Sequence, residues 1–192
     1  MRIISGIFRG RKLIKFNKEG IKPTTDKIRE SIFNIVVSYL KINEKSNNLP
    51  FQGFNVLDIF AGTGALGFEA ISRGAAKVTF IEKSKDNLQV LYKNVDHLKV
   101  NEKVKIIKRS IRKVKKIDGK FDLIFMDPPY QMDLILKKTL KKILDFKIIK
   151  KNSIIVLEHS KKKKISIPKD FKIIKEKIYG NSSLTLIKLK QY

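Results

Sequence analysis

Cysteine is absent from this chain of 192 residues, which excludes disulfides and every thiolate metal site and fits a reducing compartment. Histidine is nearly absent. His97 and His159 stand far apart with no helical His-Glu-x-x-His spacing, so a histidine-based metal centre has nothing to build on and no metal is expected. No stretch approaches the roughly 18 apolar residues of a membrane span. MRIISGIFRGRK interrupts its apolar run with Ser, Gly and Arg after two or three residues, so no signal peptide is expected either. Acids are also scarce. Against 18 Asp and Glu stand 43 Lys and Arg, a formal net charge of +25, and such an excess points first to a polyanionic partner. Only seven of these cations are arginine, at positions 2, 9, 11, 29, 73, 109 and 112, and genome-wide nucleotide bias would produce the same lysine skew. The lysine run 161–164 reads as a solvated loop.

The length supports one core of ordinary size, with 1–52 as an appendage and 53–192 as the main domain. Up to about residue 16, Ile3, Ile7 and Leu13 alternate with Arg and Gly, as in a small basic hairpin turning near Gly10. Thr25 or Asp26 then caps a helix whose apolar stripe is Ile28, Ile32, Ile35, Val36, Tyr39 and Leu40. The segment KINEKSNNLPFQG reads as a linker. From Phe54 strands and helices alternate: strands at 56–60, 77–82, 104–108, 121–126 and 153–158, helices at 65–73, 84–99 and 132–145. The last helix carries Leu136, Leu140, Ile143 and Leu144 on one face. This is the pattern of an α/β, doubly wound, mainly parallel sheet. Its end differs, because FKIIKEKIY and SLTLIKL are joined only by Gly-Asn-Ser and predict an antiparallel hairpin.

In such sheets a ligand sits beyond the carboxyl ends of the strands, where strand order reverses. Three strand ends here are unusual. The first runs VLDIFAGTGALG, in which Gly62, Gly64 and Gly67 follow a strand and open a helix with the spacing G-x-G-x-x-G. Glycines let the backbone approach a ligand, and the helix start offers unpaired N–H groups. The second strand ends in Glu82, twenty residues after Gly62, where a carboxylate can accept the hydroxyls of an adenosine ribose. Asp58, four residues before Gly62, would repel a diphosphate but suits the amino group and sulfonium of S-adenosylmethionine. The third end is FDLIFMDPPY, which stops a buried strand on a stiff corner presenting Asp127 and Tyr130.

That corner has a use in methyl transfer. An exocyclic amino nitrogen on a nucleobase is a poor nucleophile because its lone pair is delocalised into the ring. Asp127 and the carbonyl of Pro128 can each accept one of its N–H bonds and localise the lone pair, while Pro129 keeps the acceptors rigid and Tyr130 stacks on the base. No strong base or metal is required, because the nitrogen becomes acidic only after alkylation.

AGTGALG followed by DPPY resembles the class I S-adenosylmethionine-dependent amino-methyltransferases. RIISGIFRGRKL and KPTTDKIRESIFN, both before the first strand, are similar to the bacterial enzymes that methylate N2 of one guanine in 16S ribosomal RNA. The resemblance runs from about Arg2 to Leu189. It implies a Rossmann-like sheet of seven strands with the last antiparallel, and a catalytic corner at Asp127, Pro128, Pro129 and Tyr130. It implies cofactor contacts at Asp58, Ala61, Gly62, Thr63, Gly64, Glu82, Ser110 and Ile111, with S-adenosylhomocysteine as product. Ser110 stands where the family usually has an Asp or Asn facing the adenine amino group. Arg2, Arg9, Arg11, Thr25 and Arg29 are the implied RNA contacts, and Lys22 and Lys27 replace arginines, which keeps charge and loses the bidentate fork. Glu158 is read as structural. The implied partner is 16S ribosomal RNA, free or within an assembling 30S particle, in the cytoplasm, with no membrane and no obligate protein partner. The alternatives are an adenine-N6 methyltransferase of RNA or DNA and a noncatalytic RNA-binding assembly protein.

Overall fold

A computed structural model of the chain describes residues 1–15, 25–42, 49–128, 133–162 and 165–190. Among them seven strands form one sheet: β1 (Asn55–Ile59), β2 (Lys77–Ile81), β3 (Val104–Ile107), β4 (Phe121–Met126), β5 (Ile149–Ser160), β6 (Phe171–Tyr179) and β7 (Ser182–Leu189). Their order is β3-β2-β1-β4-β5-β7-β6. From β3 to β5 all neighbours are parallel, and β7 is antiparallel to both β5 and β6. The doubly wound sheet with an antiparallel last strand is therefore present. The C-terminal turn is one residue shorter than expected, since Tyr179 already pairs with Ser182 and leaves only Gly180 and Asn181 between the strands. Gly180, with φ +56°, supplies the left-handed backbone that so short a turn requires.

Pleating sends successive strand residues to opposite faces, and the two faces carry two cores. Val56, Phe80, Phe125 and Val156 pack with α1 (Asp26–Leu40), α2 (Ala65–Ser72) and α3 (Lys85–Leu98). Leu57, Ile81, Met126 and Leu157 pack on the other face with α4 (Asp133–Asp145). Thr25 caps α1, its Oγ1 accepting from the Ile28 amide at 3.3 Å, and Asp26 lies in the first turn, where negative charge suits the helix dipole. The buried face of α1 is wider than the stripe read from sequence. Phe33 and Val37 join Ile32, Ile35 and Val36, while Ile28, Tyr39 and Leu40 are partly buried. The ring of Phe33 meets Phe51 at 5.6 Å and Phe125 at 5.4 Å, so Phe51, read as linker, is a core residue.

Two elements depart from expectation. β5 begins at Ile149, because the Ser153 hydroxyl accepts from the Lys150 amide at 2.7 Å and donates to the Phe121 carbonyl at 2.5 Å, holding 149–152 against the start of β4. The N-terminal hairpin is reduced to one antiparallel bridge, Arg2 to Lys12. The segment between curls onto α2 instead. There Glu69, wholly buried, accepts from the Ile4 amide at 2.8 Å, the Ser5 amide at 3.0 Å and Arg73 Nε at 2.8 Å. Ile3 and Leu13 enter the same core as α1 and α2. No helix among the described residues is long and apolar enough to cross a membrane.

Candidate active site

Strand order reverses between β1 and β4, so the carboxyl ends of β1, β2 and β4 meet at the switch point of the sheet. Beyond β1 the chain turns sharply. Phe60, with φ +68°, and Ala61 both donate to the Ile81 carbonyl at 3.1 Å, which folds the glycine loop over the end of β2. Gly64 donates to Ala61 at 2.8 Å and α2 begins. Gly67 and Gly62 serve different ends. A Cβ on Gly67 would lie 2.2 Å from the Phe80 ring, so Gly67 lets α2 pack close against β2. Gly62, with φ +56°, has nothing within 4 Å of its Cβ position. That open side is where a ligand can approach the backbone.

Two carboxylates hold this loop. Asp58 is 2% exposed, and its Oδ2 accepts from the Gly67 amide at 3.0 Å, so it fixes the first turn of α2 from beneath. Burial pushes its carboxyl up to about 7; the Gly67 hydrogen bond opposes this and the negative charge of Glu82 adds to it. Glu82 follows β2 and is also buried. Its Oε2 accepts from the Gly62 amide at 2.8 Å and its Oε1 from the Lys83 and Ser84 amides, each at 2.7 Å. A carboxylate offers about four acceptor directions. Three backbone donors leave roughly one for a ligand hydroxyl, fewer than the two ribose bonds expected.

The remaining cofactor-loop residues are close by in the fold. Thr63 offers its carbonyl to Asn94 Nδ2 at 3.2 Å. The Glu82 amide donates to Ile107 at 3.2 Å, so the end of β3 is brought beside it. Three residues further, half-buried Ser110 precedes a short 3-10 turn, Ile111–Lys113, and Ile111 is buried in the core beside α4. On the other side of β1, Met126 pairs with Ile59 and with Leu157, so half-buried Asp127 and Pro128 leave the sheet beside the glycine loop. Pro129 and Tyr130 lie outside the described residues, as does Lys22. Glu158, one step beyond Leu157, is buried, which raises its carboxyl pKa against an opposing bond from Ser182. His159 is satisfied by the Ser160 carbonyl at 3.1 Å and Thr185 Oγ1 at 2.9 Å, and His97 is exposed.

The residues expected at an RNA surface divide. Arg2, Arg9 and Arg11 are exposed, Arg2 within 3.7 Å of Asp26 and Arg11 stacked 4.9 Å over Phe8. Thr25 is exposed, but its hydroxyl caps α1. Arg29 is a correction. It is fully buried, its Nη2 donating to the Arg2 carbonyl at 2.5 Å and to Asp26 at 3.0 Å, so it fastens the N-terminal segment to α1 rather than facing solvent. Residues that sequence reasoning missed do comparable work. Asn94, 0% exposed, clasps Ile14 through the amide at 2.8 Å and the carbonyl at 3.2 Å while also bonding Thr63. Its signal is a polar residue on the apolar stripe Leu91, Val95, Leu98 of α3, and Glu69 gives the same signal on α2.

The sequence matches, over residues 1–188, the family described as conserved hypothetical protein 95. It is similar to the ribosomal RNA small subunit methyltransferase D of Haemophilus influenzae, 36% identical over 97% of this chain and 92% of that protein. It is also similar to the ribosomal RNA small subunit methyltransferase D of Escherichia coli, 30% identical over 97% of this chain and 88% of that protein. Among solved structures, yhhF of Escherichia coli, a proposed methyltransferase, superposes with a TM-score of 0.81 at 30% identity, covering 99% of this chain and 98% of that one.

Proposed function

The chain belongs to the conserved hypothetical protein 95 family, and from that premise we propose that it transfers a methyl group from S-adenosylmethionine to the exocyclic N2 of a guanine in 16S ribosomal RNA. Relatives matching nearly its whole length are named ribosomal RNA small subunit methyltransferases, which supports methylation of ribosomal RNA as the activity. The observation that carries the cofactor is the convergence of Asp58, Glu82 and the open side of Gly62 at one switch point. Two buried carboxylates beside the open side of Gly62 suit a cationic ligand and disfavour a diphosphate.

When bound, S-adenosylmethionine supplies a methyl group made electrophilic by its sulfonium. Glu82 accepts a ribose hydroxyl at its remaining acceptor direction, Asp58 favours the positive charge of the methionine part, and Ala61 to Gly64 present backbone to it. Ser110 and Ile111 bound the adenine. Asp127 and the Pro128 carbonyl accept the two N–H bonds of the target amino group, which localises the nitrogen lone pair, and Tyr130 stacks on the extruded base. Placed hydrogen bonds and alignment supply the rate. Residues 1–52 form the RNA-contacting part, with Arg2, Arg9 and Arg11 on phosphates, and the protein works in the cytoplasm on free RNA or on an assembling 30S particle.

The test is incubation of the full chain with radiolabelled S-adenosylmethionine and under-methylated small-subunit particles or naked 16S RNA, followed by mass spectrometry of nucleosides. N2-methylguanosine is expected. N6-methyladenosine would replace the guanine reading, and no incorporation into either substrate would refute the activity.

A further inference from the structure

The second core face carries a feature that methyl transfer does not use. Between the 3-10 turn after Ser110 and the last turns of α4 lies a groove of about 610 Å³. Its rim holds Arg112, Lys113, Lys115, Lys138 and Lys141, all exposed, with Asp145 as the one acid in its lining. Lys142 is a strut: its Nζ donates to the Arg112 carbonyl at 2.7 Å and sits 5.5 Å from the Phe146 ring, holding the turn against the helix. Three surface lysines elsewhere reach acids, Lys105 and Lys116 at Asp118, 3.4 and 2.8 Å away, and Lys150 at Asp122, 2.6 Å away. Among the described residues none of the five rim cations has an ion pair. Like charges gathered around one concavity repel one another and are relieved by an anion.

We propose that this groove is a second grip on the phosphate backbone of the substrate RNA, a deepening that rests on the ribosomal RNA reading above. Val114 roots it in the core beside α4, whereas Ile3 and Leu13 root the N-terminal loop in the core on the opposite face. An RNA held by both therefore contacts both faces of the sheet. Phosphate contacts position a nucleic acid without reading its sequence, so the groove sets register and affinity, not base choice.

The experiment is filter binding of a 16S ribosomal RNA fragment to the full chain across a salt series. The variants are Lys138→Ala with Lys141→Ala, Arg112→Ala with Lys113→Ala, and the charge-keeping Lys138→Arg with Lys141→Arg. Two lost phosphate contacts should reduce the magnitude of the log–log salt slope by about 1.4–1.8 in each alanine pair, and the arginine pair should keep the wild-type slope. Thermal unfolding confirms that each variant is folded. Wild-type slopes in both alanine pairs, with the wild-type chain binding and methylating RNA, overturn the groove. A wild-type chain that neither binds nor methylates the RNA overturns the functional reading beneath it.

Discussion

Gly6→Ala should undock the N-terminal loop while leaving the sheet intact. Gly6 has φ +84°, and an added Cβ would lie 1.9 Å from the Ser72 carbonyl oxygen and 2.8 Å from its hydroxyl. Ser72 ends α2 and is fully buried, so the loop has to retreat. Retreat breaks three bonds: the Ile7 amide to the Ser72 carbonyl at 2.8 Å, the Phe8 amide to the Ser72 hydroxyl at 2.9 Å, and that hydroxyl to the Ser5 carbonyl at 2.5 Å. At a net contribution of about 0.5–1.5 kcal/mol each, with about 1–2 kcal/mol for a side chain in left-handed backbone, docking weakens by about 3–6 kcal/mol. Native-state hydrogen exchange reads this directly. The Ile7 and Phe8 amides should lose about two to four decades of protection, at about 1.4 kcal/mol per decade, while β1 and β4 amides keep theirs. RNA affinity should fall, because Arg9 and Arg11 lose their platform, and affinity for S-adenosylmethionine should hold. Unchanged protection at Ile7 and Phe8 would refute the claim that the loop needs this close approach.

Glu82→Ala removes the acceptor of three backbone amides and, on the proposed reading, of the ribose, and calorimetry should show affinity for S-adenosylmethionine falling about ten- to hundredfold; equal affinities would take Glu82 out of the site. Asp58 has its carboxyl raised from 3.8 to about 7, so the folded chain holds that proton more tightly than the unfolded chain. Its contribution to stability is therefore present below that window and lost as pH rises across it, while affinity for a cationic ligand rises over the upper part; Asp58→Asn should flatten both curves, and a variant with wild-type pH profiles would refute the assignment. Asp127→Ala should leave cofactor affinity nearly intact and lower the single-turnover methylation rate by about 10²–10³, the scale of one preorganised hydrogen bond, with wild-type turnover excluding the carboxylate as acceptor.

What the sequence made legible was local. A strand announces itself by its apolar run and its end by Gly or Pro, so the glycine loop, Glu82 and Asp127 could be placed at the ends of three strands, β1, β2 and β4, from spacing alone. The hairpin of β6 and β7 was equally plain, because Gly-Asn-Ser leaves no room for a crossover. Residues whose roles depend on distant partners were not legible. Glu69 stands out only as a polar residue on an apolar helix, and its role appears when Ile4 and Ser5 arrive from more than sixty positions away. Arg29 reads as surface charge until the Arg2 carbonyl is laid across it. Phe51 sits in a polar stretch and becomes core only when Phe33 and Phe54 close around it. Pattern fixes which face a side chain takes, whereas these three were decided by what the rest of the chain brought to that face.

The raised Asp58 carboxyl also bears on why a chain so basic can select a cation. At +25 the protein repels positive ligands at long range, and this field favours RNA over any cationic cofactor. Selection must then act at short range. On the proposed reading Asp58 and Glu82 provide it, buried where screening by salt is weak and separated from the exposed arginines of the loop by α2 and its Glu69–Arg73 pair at 2.8 Å. Without a ligand, burial above all, with the Glu82 charge adding to it, disfavours ionisation of Asp58, which holds a proton near neutral pH. A cationic ligand takes over the role of that proton, whereas a diphosphate would add to the repulsion. On the proposed reading, the same G-x-G-x-x-G loop that elsewhere receives dinucleotides is turned to S-adenosylmethionine by one buried aspartate beneath it, and Asp58→Asn should reduce the discrimination between cationic S-adenosylmethionine and its uncharged-sulfur product. Equal affinity ratios in wild type and variant, measured by calorimetry at pH 8, would show that the loop recognises shape alone.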